Sequence, residues 1–168
     1  MKTLLLLCAL LAAMPVLPRD APGKPRVLEW EELIPADKRA HYNPAPPPPM
    51  HDYLGEGGLA AQQPIDFDVN RELDGQFVKI PGFIVPLDVG ADGHVSEFFL
   101  VPYFGACIHV PPPPPNQIVY VHAAQGLAIG SIYEPYWITG RLSIENKTTR
   151  LGAAAYSLGA DKVEIYKY

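Results

Sequence analysis

The chain has 168 residues, 48% of them hydrophobic, with 18 acidic and 13 basic side chains and a formal net charge of −5. That much apolar material supports one packed domain and excludes global disorder. An acidic balance with no basic run excludes the electrostatic footprint of a nucleic-acid binder. The 20 prolines argue against a helical protein and for strands, turns and extended segments, because proline fits neither helix interiors nor central strands.

Residues 1–13 read as an export signal. Lys2 gives a short positive region, and the apolar run at 4–13 (LLLLCALLAA) is too short to span a bilayer. Cleavage after Ala12 or Ala13 would leave a periplasmic chain, and the loss of Lys2 makes the formal charge 12 − 18 = −6. A lipid anchor on Cys8 is disfavoured because Leu7 before it is not a small residue. With Cys8 removed, Cys107 is alone. A single thiol in an oxidising compartment is buried, bound to something, or paired between chains. No later segment is long and apolar enough for a transmembrane span in the mature protein.

Residues 14–27 (MPVLPRDAPGKPRV) read as a flexible leader. At 28–34 (LEWEELI) a short helical segment is expected, with Trp30, Leu33 and Ile34 on one face and Trp30 plugging one end of the core. Residues 43–50 (NPAPPPPM) form a first extended proline strap, 51–63 a polar loop, and 65–69 an irregular edge.

The remainder reads as strands at 76–89, 95–103, 117–123, 136–147, 153–158 and 162–168. Bends are expected at Pro81-Gly82 and Gly140, a hairpin turn at 90–93, a loop or short helix at 124–134, and a tight turn at 159–161. The reading is a single mainly β domain over 28–168 with an N-terminal arm: a small OB-like barrel of five to six strands with a short N-terminal helical segment and proline-rich straps. A small β-sandwich is the alternative.

The segments LEWEELIP, LDGQFVKIPGFIVPLD, EFFLVPYFGACIHVPPPPPNQIVYV and PYWITGRL together resemble the bacterial exported family DUF3299. The resemblance covers roughly residues 28–158 and is most specific at ACIHVPPPPPNQ. It implies small periplasmic or lipid-anchored proteins. Some are similar to components that accompany macrolide-exporter-like ABC transporters, including systems linked to zinc homeostasis. It implies no enzymatic activity. This chain departs from the lipid-anchored members in lacking a convincing lipobox.

Three readings compete for the stretch around Cys107. In an extended segment Cys107 and His109 point to the same face, and with His122 on the next strand they would offer soft and borderline ligands to Zn or Cu. Alternatively Cys107 is a small buried hydrophobe and His109 bonds the turn. A thiol enzyme would set Cys107 and His109 with Asn116 or Asn70.

The five prolines Pro111, Pro112, Pro113, Pro114 and Pro115 donate no backbone hydrogen bonds and lose little entropy on ordering. They form either a rigid ridge for a partner or a strap across the chain's own barrel. Asn116 and Gln117 are expected to bond the carbonyls left beside the prolines, and Glu134 to be a ligand, an ion-pair partner of Arg141 or a solvated charge. The preferred function is a non-enzymatic periplasmic binding or adaptor protein accessory to an ABC-type transport system. Its contact surface would comprise the proline ridge with Asn116 and Gln117 and the aromatic residues Tyr133, Tyr136 and Trp137. It would be a monomer or weak oligomer. A periplasmic Zn- or Cu-binding protein is the alternative.

Overall fold

The computed structural model describes residues 23–42, 63–107 and 111–167. The expected signal at 1–13, the first proline run at 43–50, most of the polar loop at 51–63, and His109 lie outside these residues. Six strands form one sheet: β1 (Arg26–Val27), β2 (Phe77–Asp88), β3 (Val95–Val101), β4 (Val119–Leu127), β5 (Tyr136–Thr149) and β6 (Gly152–Ile165), in the order β1-β2-β3-β4-β6-β5. A further β2–β5 pairing closes the last five into a barrel. The β4–β6 pair is parallel, and the other barrel pairs are antiparallel. This is the OB-like barrel that the sequence predicts, with β1 added in parallel along the first half of β2.

Closure depends on one change of partner. Residues Phe77 to Gly82 of β2 pair with β5, and Phe83 to Asp88 pair with β3. The change falls at the Pro81-Gly82 pair read as a bend. Gly82 is required there by contact: a Cβ on it would sit 2.8 Å from the Val101 carbonyl oxygen and 2.9 Å from Leu100 Cγ. Backbones that approach this closely tolerate no side chain between them.

Alternation along the strands separates two apolar layers. Val78, Ile80, Ile84, Phe98, Leu100, Val119, Val121, Ile138, Leu142, Tyr156 and Leu158 fill the barrel. Phe99, Val101, Ile118 and Tyr120 face the other way and build a second cluster with Val85, Ala106 and Ala154. Trp30 and Leu33, on a 3₁₀ turn (Trp30–Leu33), are buried in the barrel cluster, as their spacing predicts, and Ile34 beside them is buried too. The Trp30 indole N–H donates to the Pro81 carbonyl at 2.7 Å. It thereby fixes the arm to the carbonyl beside the β2 partner change.

Several boundaries differ from the sequence reading. Arg26 and Val27, placed at the end of the leader, are strand residues. Gln117 belongs to a 3₁₀ turn (Pro115–Gln117) and not to a strand. Strand β4 runs on to Leu127, past the expected loop start. The expected turn at 159–161 is instead the interior of one long strand, β6, where the pairing slips by one residue. Glycine marks turns and bulges alike, so the local signal was correct and its interpretation was not.

Candidate functional site

After β3, Tyr103, Ala106 and Cys107 lie against the barrel's own outer face. Ala106 is buried and Cys107 partly buried against the Phe99, Val101, Ile118 and Tyr120 layer. The Tyr103 hydroxyl donates to the Pro111 carbonyl at 3.2 Å, and Gln63 Nε2 donates to the Pro113 carbonyl at 2.8 Å. Pro113 and Pro115 are buried, while Pro111, Pro112 and Pro114 are half-buried. OB-folds present ligands on the face made by their second and third strands. Here those strands are β3 and β4, and that face is roofed by residues of the same chain.

Asn116 and Gln117 are buried and do bond backbone carbonyls, but mostly not those of the prolines. Asn116 Nδ2 donates to the Asp68 carbonyl (3.0 Å), and Gln117 Nε2 to those of Trp30 (3.1 Å) and Asn116 (3.0 Å). The Gln117 backbone N–H does reach the Pro114 carbonyl at 2.8 Å. The pair therefore ties the strap to the N-terminal arm.

Cys107 adopts φ 65°, the left-handed region, beside Gly105 at φ 83°. Burial pushes its thiol up to about 12. The thiolate is the nucleophile and the metal ligand, so this group is poorly suited to either role in the folded chain. His122 is exposed on β4. It lines a cleft of about 600 Å³ with Asp74, Phe77, Arg141, Gly159 and Asp161. Among the described residues no group of three or more His, Cys, Asp and Glu side chains is arranged to hold a metal ion.

The three aromatic candidates diverge. Tyr136 is buried, its hydroxyl donating to the Ser131 carbonyl at 3.0 Å. Trp137 stacks on Tyr166 with ring centroids 5.0 Å apart, with the Lys79 ammonium also 5.0 Å from its ring. Tyr133 is 71% exposed and packs on Phe104, itself 43% exposed, at 5.2 Å. Phe104 in turn meets Phe83 edge-on at 5.9 Å. The β3–β4 connection and the segment before β5 thus meet in one exposed aromatic surface. Its centre is Phe104, which lies outside the aromatic set Tyr133, Tyr136 and Trp137 that the sequence singles out. Glu134 is exposed, in line with the solvated-charge reading, and Arg141 donates from Nη1 to the Gly75 carbonyl at 2.6 Å.

These features define a small closed OB-like barrel protein whose outer apolar layer on β3 and β4 is packed by Ala106 and Cys107 of its own β3–β4 connection. The family model described as "Protein of unknown function (DUF3299)" matches residues 30–165, and the chain belongs to that family. The crystal structure of a DUF3299 family protein from Pseudomonas aeruginosa PAO1 is similar to it with a TM-score of 0.74 and 49% sequence identity. The match covers 87% of this chain and 99% of that one. No curated protein matches.

Proposed function

We propose that the chain is a non-enzymatic binding or adaptor protein of the periplasm, accessory to an ABC-type envelope transport system. The observation that carries this reading is the aromatic cluster of exposed Phe104 and Tyr133 with half-buried Phe83, with rings 5.9 Å and 5.2 Å apart. Neighbouring aromatics left in water are characteristic of a surface that another protein covers. The cluster sits on a stiff base, because the strap that follows Phe104 is held by Tyr103, Gln63 and the buried Asn116-Gln117 pair. A pre-ordered surface loses little entropy on association.

The test is co-purification of the tagged chain with transporter subunits from envelope fractions, wild type against a Phe104→Ser/Tyr133→Ser double variant. The variant should keep its thermal midpoint within a few degrees and lose most of the recovered transporter. Equal recovery from both proteins would remove the proposed surface. Recovery of no transporter subunit by wild type would remove the adaptor role.

A further inference from the structure

Five residues form a row across the barrel. Glu97 on β3 pairs with His122 on β4, His122 with Gly159 on β6, Gly159 with Arg141 on β5, and Arg141 with Phe77 on β2. Directly paired residues share a face. The chain neighbours Val78, Phe98, Val121, Leu142 and Leu158 fill the barrel, so the row faces outward. At its centre Gly159 contributes no side chain, and a Cβ there would meet nothing within 4 Å. The result is a gap between the His122 imidazole and the Arg141 guanidinium.

One step further along β6 the ladder slips. Gly140 pairs with Ala160 and Thr139 with Lys162, which leaves Asp161 as the extra residue of a β-bulge. Bulges re-aim side chains, and Asp161 lines the same cleft of about 600 Å³. Arg141 is positioned by its 2.6 Å bond to the Gly75 carbonyl. Among the described residues neither Arg141 nor Asp161 has an ion-pair partner. The third charge in the cleft, Asp74, is engaged through Oδ1 by the Ile144 N–H at 2.9 Å.

A guanidinium fork donates two parallel hydrogen bonds to a planar carboxylate, and a free carboxylate accepts hydrogen bonds from an ammonium. Set on the walls of one cleft and not joined to each other, they select a ligand carrying the opposite pair. A dianion would meet Asp161 and Asp74, and a dication would meet Arg141. The volume falls in the ordinary range of small-molecule sites. We propose that this cleft binds a small zwitterion, an amino acid or short peptide with a free ammonium and a free carboxylate. Arg141 takes the carboxylate, Asp161 the ammonium, and Phe77 and the bare Gly159 backbone the body between them. The site shares no residue with the Phe83–Phe104–Tyr133 surface and stands or falls separately from it.

The test is calorimetric titration of the full chain with L-alanyl-L-alanine, with acetate and ethylammonium as singly charged controls. The dipeptide should bind at least about ten-fold more tightly than either control. Arg141→Gln and Asp161→Asn should each weaken it by about ten-fold, the loss of one charged contact. Gly159→Val, whose first side-chain atom enters open space, should abolish binding without lowering the thermal midpoint. The proposal is overturned if the wild type does not bind the dipeptide. It is equally overturned if acetate or ethylammonium binds as tightly, or if folded Gly159→Val binds unchanged.

Discussion

The Tyr156 hydroxyl donates a 2.7 Å hydrogen bond to the carbonyl of Leu33, 123 residues earlier in the chain. The same oxygen accepts from the Asn70 N–H at 2.7 Å. One fully buried phenol on β6 thereby joins the N-terminal 3₁₀ turn, the turn at Asn70 and the barrel interior. Replacing it by Phe removes the hydroxyl and leaves the Leu33 carbonyl with the Asn70 N–H, 3.0 Å away. Tyr156→Phe should therefore cost about 1–2 kcal/mol in urea denaturation, with an unchanged far-ultraviolet spectrum. A loss above about 4 kcal/mol would mean that the arm detaches with it.

Alkaline pH should loosen the fold. Burial pushes Tyr156 from an ordinary 10.0 up to about 12, and Cys107 from 9.0 up to about 12. Both are neutral when protonated and hold the proton more tightly folded than unfolded. Below about pH 8 neither state is appreciably ionised, and these groups contribute no pH dependence. Above it the unfolded chain releases protons first, so stability falls as pH rises toward 12. Thermal midpoints measured from pH 8 to 11 should decline steadily; a flat profile to pH 11 would contradict the burial of both groups.

The Cys107 thiol should be inert. At pH 7.5 iodoacetamide should modify the native chain at least about ten-fold more slowly than the urea-unfolded chain, because almost no thiolate exists in the folded state. Comparable rates would place the side chain in solvent and revive the metal and nucleophile readings. At φ 65° a β-branched replacement is strained as well, so Cys107→Val should destabilise the chain more than Cys107→Ser.

Two glycines on neighbouring strands should respond oppositely. A Cβ on Gly140 would lie 2.0 Å from the Gly159 carbonyl oxygen and 2.8 Å from Leu158 Cδ2, whereas one on Gly159 meets nothing within 4 Å. Gly140→Ala should cost at least about 3 kcal/mol or prevent folding, through overpacking at a backbone contact. Gly159→Ala should change stability by less than about 0.5 kcal/mol. Equal thermal midpoints for the two variants would refute the close β5–β6 approach.

The barrel was legible because its signals are local. Alternation marked the strands, Pro81-Gly82 marked the partner change, and Trp30 and Leu33 had the spacing of a face that goes inside. The candidate site was less legible because its determinants are relations between strands. Gly159-Ala160-Asp161 has turn composition, and only the pairing of β5 with β6 reveals a bulge. Asn116 and Gln117 were read correctly as hydrogen-bonding residues. Their partners Asp68 and Trp30 lie 48 and 87 positions away, beyond any local rule. His122 was singled out for its chemistry, but the Arg141 and Asp161 beside it share no motif spacing with it.

The double pairing of β2 also orders assembly in time. Its second half finds β3 across a short hairpin, but its first half must wait for Arg141 and the residues before it, far along the chain. Pairing at such separation forms slowly, because a large loop must close before any contact rewards it. A nascent or truncated chain ending before β5 would expose a bare row of backbone donors and acceptors from Phe77 to Gly82, open to foreign strands. The seam between β2 and β5 is thus where the young protein is most exposed to aggregation, and where a chaperone would protect it best.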